Sequence, residues 1–288
     1  MNEFIIFADS ACDIDKDVLN EWGVKRIELS LMFNEAPKEY LNSEIDPKDF
    51  YNEMRVGKTA KTSAVNTQTF IDVFEKELKE GKDIVYIAFS SGLSTTYNSG
   101  VAAVNELKER YPERKILAVD SLAASAGYGL IVYLASKKAK EGASAEEIIK
   151  FVEDIRLKIA HWFTVADLVY LKRGGRISPT LAFVGGVLGI KPILHVDDEG
   201  HLISMSKVRG RRAAILELAN KFGETADKGA VQTVYISHGD CIEDAETLAD
   251  IIKKEYGIKI EIITYVGPVI GAHSGPGTLA LFFIANER

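Results

Sequence analysis

The sequence predicts a two-domain α/β protein, with a parallel doubly wound sheet over residues 1–160 and a second α/β unit with a mixed sheet over 161–288. Three observations carry this. Short apolar strands and amphipathic helices alternate up to about residue 160, the pattern of a parallel sheet covered by helices on both faces. Apolar strands in this half run straight into short polar pairs, Asp9-Ser10, Ser90-Ser91 and Asp120-Ser121. In such a sheet these ends share one edge, where ligand chemistry collects. Beyond His161 the alternation gives way to a hairpin around Asp198-Glu199-Gly200 and a glycine-rich stretch before a last strand. No flexible linker separates the halves, so the boundary near 160 is expected to be a packed junction.

Taken in order, Phe4 to Phe7 is a buried strand and Asp15 to Trp22 a short helix stopped by Gly23. Val24 to Phe33 reads as one strand, with Ile27, Leu29 and Leu31 alternating. Asp46-Pro47 opens a helix through Met54, Asp as cap and Pro at the first helical position. Thr59 to Thr69 is a hydroxyl-rich loop leading into a helix from Gln68 to Glu80. Ile84 to Phe89 is a strand that ends in Ser90, Ser91 and Gly92. Ser94 stands where a cap belongs, and Val101, Val104, Leu107 and Tyr111 follow at helical spacing. Lys115 to Val119 is a strand; Ala123 to Lys140 and Ala145 to Lys158 are helices, the second capped by Ser144. In the second half, Trp162 to Val165 is a strand, Leu168 to Lys172 a helical turn and Thr180 to Leu188 an apolar helix. Ile193 to Val196 and Leu202 to Val208 form the hairpin. Arg209 to Phe222 and Cys241 to Tyr256 are helices, Thr233 to Ser237 and Ile258 to Tyr265 strands. The segment GPVIGAHSGPG is expected to be a loop holding His273.

Composition is that of an ordinary globular protein: 288 residues, 47% apolar and 27% charged. A net charge of −7 argues against nucleic acid as a partner, since phosphate contacts need clustered Lys and Arg. Cys12 and Cys241 alone make neither a disulfide framework nor a zinc site. MNEFIIFADS has no basic leader ahead of an apolar core, and no run of about 18 apolar residues occurs. A cytoplasmic protein is expected.

The hydroxyls Ser90, Ser91, Ser94, Thr95 and Thr96 sit between a strand and a helix. Free N–H groups and the helix dipole favour an anion at such a place. A serine hydrolase would need Ser94, His273 and an acid such as Asp9, but Thr96 stands where a nucleophile elbow wants Gly. Neither a phosphate-binding GxxxxGK[ST] loop nor a GxGxxG turn after a strand is present. His161, His195, His201 and His238 are lone histidines, whereas His273 lies between Gly271 and Gly275, where backbone can approach a ligand closely. The remaining chemistry is anion binding by hydroxyls, one His and one Arg, with the apolar Leu181 to Ile190 as wall for a greasy ligand. Arg209 to Arg212, RGRR, is the surface a lipid-sensing regulatory protein would use.

Several stretches together resemble the DegV family of bacterial lipid-binding proteins: FADSACDI (Phe7 to Ile14), KTSAVNT (Lys61 to Thr67), SSGLSTTYNS (Ser90 to Ser99), VDS (Val119 to Ser121), YLKRGGRIS (Tyr170 to Ser178) and VGPVIGAHSGPGT (Val266 to Thr278). They occur in family order and cover the whole chain. The resemblance implies a two-domain α/β protein that binds one long-chain fatty acid, its tail in the C-terminal domain and its carboxylate at the domain junction. It implies a carrier with no catalytic residue, no metal and no cofactor beyond the fatty acid. Its partner would be a fatty acid kinase that converts the bound carboxylate to acyl phosphate, and transient membrane-surface contact is allowed. Matched by motif, the ligand-binding residues are Thr62, Ser63, Ser94, Thr95, His273 and Arg176. Two departures occur. Ala64-Val65-Asn66 replaces the usual continuation of TSQPS, and Thr95 replaces the Gly of LSGTY, where a side chain bears on the head group and on a kinase's approach.

Overall fold

A computed structural model describes residues 3–178 and 189–288. The first half runs β1 (Phe4–Asp9), α1 (Lys16–Trp22), β2 (Val24–Ile27), β3 (Ser30–Phe33), β4 (Ala36–Leu41), α2 (Pro47–Arg55), β5 (Ala60–Ser63), α3 (Thr67–Lys79), β6 (Asp83–Ala88), α4 (Thr96–Arg110), β7 (Ile116–Asp120), α5 (Ser125–Lys140) and α6 (Ala145–Ile155). β2, β1, β6 and β7 lie side by side, all parallel. Every residue of β6 is buried, as a central strand covered on both faces requires. The helix boundaries follow local chemistry. Asp15 and Asp46 accept backbone N–H bonds at the starts of α1 and α2, and Ser144 with Glu147 closes a capping box on α6.

The second half runs β8 (Ile159–Thr164), α7 (Val169–Arg173), β9 (Ile190–Val196), β10 (Leu202–Arg209), α8 (Arg211–Thr225), β11 (Tyr235–His238), α9 (Ile242–Tyr256), β12 (Ile262–Tyr265), α10 (Pro268–Ser274) and β13 (Leu279–Ile284). These strands form a mixed sheet in the order β10-β9-β8-β13-β11-β12, parallel only between β11 and β12. The fold is therefore mixed α/β, with the parallel and mixed sheets that the sequence predicts. The expected helix at Thr180 to Leu188 lies outside the described residues, as does nearly all of the expected apolar wall at Leu181 to Ile190.

Four local expectations are corrected. Val24 to Phe33 is not one strand: Val24–Ile27 pairs with β1, while Ser30–Phe33 crosses into a small antiparallel sheet with β4 and β5. The alternation of apolar residues continues through the crossing, so it conceals the change of partner. β4 itself, APKEYL, was not expected, because it is exposed and carries Pro37, as an edge strand tolerates. Ala60–Ser63 is a strand rather than loop, held only by pairing with β3. The segment around His273 is a helix, α10, opened by Pro268.

α5 joins the two sheets. It packs against β8, β11 and β13 on one side and against the 3-10 turn Ser10–Cys12 on the other. A Cβ at Gly127 would lie 2.4 Å from His161 Nε2 and 2.5 Å from Phe282, so glycine sets how close the helix comes to the mixed sheet. One core thus runs from the parallel sheet to Leu194, Tyr235, Ala280 and Phe282 on the inner face of the mixed sheet. A second core, with Trp162, Ile193, Leu218, Ile236, Leu281 and Phe283, fills the outer face under α8 and α9.

Candidate functional site

Between the loop edge of the parallel sheet and the inner face of the mixed sheet lies a cavity of about 420 Å³, within the range of about 300–1,000 Å³ typical of small-molecule sites. Its apolar wall comes from both halves: Leu29, Ala64, Phe89, Leu93 and Ala124 from the first, and Phe163, Leu171, Val196, Leu202, Val269, Ala280 and Phe282 from the second. Thr62, Ser94, Thr95, Arg176 and His273 line the same cavity.

Each polar group arrives by a distinct local device. Thr62 is on β5, opposite Leu31 of β3. Strand alternation turns Thr62 inward and Ser63 outward; Ser63 is exposed and is not brought to the cavity. His273, on α10, places Nε2 2.8 Å from Thr62 Oγ1. Its Nδ1 is buried without a hydrogen-bond partner among the described residues. That nitrogen is pressed against Gly174, where a Cβ would lie only 2.2 Å away. Burial, and next the nearby Arg176 charge, push the His273 pKa down to about 4, below the ordinary 6.5 that a solvated imidazole would keep. The ring is thus neutral at physiological pH. With Nδ1 unpartnered, the favoured tautomer carries its proton on Nε2 and donates to Thr62 Oγ1, which leaves the Thr62 hydroxyl proton free to point at a ligand.

Arg176 follows α7 and is half-buried. Its Nε donates to the Leu93 carbonyl at 3.1 Å, and its Nη1 donates to the Gly174 carbonyl. Burial lowers its pKa from the usual value, yet a guanidinium stays charged at neutral pH. No carboxylate among the described residues pairs with it, so the cavity holds a cation without a counter-ion.

The loop after β6 is anchored from below. Ser90 is buried and its hydroxyl donates to the Gly200 carbonyl in the β9–β10 turn at 2.9 Å. Gly92 closes on the same turn, where a Cβ would meet the Glu199 carbonyl at 2.8 Å. Ser91 N–H donates to Asp120. Of the five hydroxyls in this loop, Ser90 and Thr96 are buried with protein partners, while Ser91, Ser94 and Thr95 line the cavity. Ser94 Oγ lies 2.9 Å from Thr96 Oγ1 and accepts the Thr96 N–H at 3.2 Å. Thr95, not Ser94, is the residue before the helix, and its side chain makes no cap bond.

A serine-hydrolase arrangement is not assembled. The buried Asp9 carboxylate accepts Ala11 N–H, Tyr86 O–H, Phe89 N–H and Tyr128 O–H, and none of its bonds goes to His273. Burial raises its pKa to about 6. Asp9 and Asp120 do end strands at one edge of the parallel sheet, on either side of β6, but they hold loops in place. The RGRR surface is partly neutralised, since Arg211 pairs with Asp244, while Arg209 and Arg212 are exposed. Among the described residues no group of three or more His, Cys, Asp or Glu could hold a metal ion, and no helix is long and apolar enough to cross a membrane.

Ser125, His161, Ser237, Ser274 and Thr278 also line the cavity and were not singled out from the sequence. His161 is turned inward by the same alternation as Phe163, a signal the sequence carried. Ser125 was hidden: it starts α5 with a left-handed φ of 52° and donates to Asp13, a contact across 112 residues.

The DegV family model, described as an uncharacterised protein of the DegV family, matches residues 3–286. The chain belongs to the DegV family. A DegV domain-containing protein of Clostridium perfringens is 44% identical over 291 residues, covering 100% of this DegV chain and 99% of its own. A DegV family protein from Thermus thermophilus, described for its fatty acid binding, superposes with a TM-score of 0.87 at 28% identity and covers 99% of this chain and 100% of its own. DegV from Bacillus subtilis, described as a fatty acid binding protein, gives a TM-score of 0.86 at 28% identity with the same coverage.

Proposed function

We propose that this DegV protein binds one long-chain fatty acid. The carboxylate lies against Thr62, Ser94 and Arg176, with His273 behind Thr62 and Thr95 at the rim, and the tail lies along the apolar cavity. One observation carries the reading: an apolar cavity of about 420 Å³ holds the Thr62 and Ser94 hydroxyls and a guanidinium that has no carboxylate partner among the described residues, in a chain similar to proteins described as fatty acid binding. Fifteen methylenes at about 0.8 kcal/mol each give a gross gain on the order of 12 kcal/mol, much of it offset by association and ordering. The tail therefore supplies affinity, and the polar end fixes register. Ser63 is left out of the head-group set on the strength of its outward position.

The protein serves as a carrier with no catalytic step of its own, and presents the carboxylate to a fatty acid kinase, which forms the acyl phosphate. Such a role places it in the cytoplasm, with transient contact at a membrane surface to take up a poorly soluble ligand. The exposed Thr95 stands between head group and solvent, and is the residue a kinase would meet first. The test is native mass spectrometry of protein purified from a bacterial host, then denaturation with organic extraction. A non-covalent adduct of fatty acid mass that denaturation releases supports the reading. A mass that stays that of the bare chain after incubation with fatty acids refutes it. Addition of a fatty acid kinase and ATP to the loaded protein, with extraction of acyl phosphate, tests the partnership separately.

A further inference from the structure

The hydroxyl of Thr96 is fully buried, and among the described residues Ser94 Oγ is its hydrogen-bond partner, at 2.9 Å. Two proton arrangements are open to this pair. If Ser94 donated to Thr96, the Thr96 proton would be left in a water-free position with no acceptor, which is unfavourable. If Thr96 donates to Ser94, every proton has a place. Ser94 Oγ then accepts twice, from the Thr96 hydroxyl and from the Thr96 N–H at 3.2 Å. A hydroxyl has two acceptor positions and one proton. With both positions filled, Ser94 can offer the cavity only its proton. Across the cavity, His273 Nε2 at 2.8 Å fills one of the two acceptor positions of the Thr62 oxygen, and the Thr62 proton is free to face the ligand. Arg176 is a donor in any state.

We propose that Thr96 is a positioning residue that fixes Ser94 as a donor, and that the polar end of the cavity therefore accepts ligand ends that only accept hydrogen bonds, carboxylates above all, and rejects neutral ends that must donate, such as primary amides. This rests on the fatty acid reading and adds a selection rule to it. An amide N–H directed at Ser94 or Arg176 meets another donor and loses its water without replacement. Thr96→Val keeps the size of the side chain and removes the hydroxyl. Ser94 can then turn its freed lone pair toward the ligand, so it loses its fixed direction toward a carboxylate and gains the ability to accept from an amide.

The experiment uses the delipidated full chain and measures competitive binding of palmitic acid and palmitamide by displacement of a fluorescent fatty acid. In the native protein palmitate is preferred. Thr96→Val is expected to weaken palmitate about five- to tenfold, leave palmitamide unchanged or tighter, and so shrink the acid-to-amide ratio. Thr96→Ser, which restores the hydroxyl, is expected to return that ratio to the native value. It also keeps the test decisive if the valine variant folds poorly. A ratio unchanged in Thr96→Val, or one that collapses equally in Thr96→Ser, overturns the assignment while leaving fatty acid binding intact. Failure of the native chain to bind palmitate would instead refute the functional reading on which the rule rests.

Discussion

Gly174→Ala isolates the contact that holds His273. Gly174 has φ −71° and ψ −11°, a backbone conformation any residue adopts, so alanine there should by itself stabilise by about 0.4–1 kcal/mol through the unfolded chain. The added Cβ would instead lie 2.2 Å from His273 Nδ1 and 3.1 Å from its Cγ. Carbon contacts settle near about 3.5–4.0 Å, so the ring must retreat by about 1 Å or more. That motion pulls Nε2 from the Thr62 hydroxyl, 2.8 Å away. Overpacking costs about 1–3 kcal/mol and the lost hydrogen bond about 1 kcal/mol. A net destabilisation of about 1–3 kcal/mol is expected after the backbone gain is subtracted. Fatty acid affinity should fall about five- to tenfold, because Thr62 loses its orientation. The assay is urea unfolding of the native chain, Gly174→Ala, His273→Ala and the double variant. Without the imidazole the clash disappears, so Gly174→Ala should be neutral or stabilising in the His273→Ala background. An equal cost in both backgrounds would refute the contact as the cause.

Two further outcomes are expected. Thr62→Val should weaken fatty acid binding about fivefold or more by loss of one donor, while Ser63→Ala should leave affinity and stability within about 0.5 kcal/mol, since Ser63 points away from the cavity; calorimetric titration of both variants checks the pair. Asp13 is buried and its pKa is raised from 3.8 to about 7, first by burial. The folded state therefore holds this proton more tightly than the unfolded chain. The stabilising contribution is fully present below about pH 4 and is lost as pH rises through about 7, up to about 4 kcal/mol at the limit. Melting temperatures between pH 4 and 7.5 should decline less steeply in Asp13→Asn than in the native chain, and identical slopes would count against this account.

Much of the fold was legible because its causes are local. Asp15, Asp46 and Ser144 cap the helices expected to follow them, and an unbroken apolar run made β6 a central strand. Where the cause was a partner elsewhere in the chain, the sequence was mute. β5 is polar and is a strand only because β3 lies beside it. The turn between β2 and β3 is fixed by Ser10, whose hydroxyl accepts the Leu29 N–H at 2.9 Å, and apolar alternation runs through it unchanged. His273 stood out by its glycine neighbours, but its helix did not, because Gly271 is needed there for close packing on Tyr51 rather than for a loop.

The sequence by itself determined the family, the mixed α/β class, most element positions and the residue types available for an anionic head group. Those properties depend on periodicity, caps and short motifs, all read within a few neighbouring residues. Tertiary structure alone decided which hydroxyls face the cavity, that Ser90 and Asp9 hold loops, and that His273 is neutral. Thr62 and His273 are 211 residues apart, and the low pKa of the ring comes from burial and from Arg176 beside it. Desolvation and the direction of a hydroxyl proton depend on whatever surrounds an atom on every side, and those surroundings come from segments that meet only when the chain has folded.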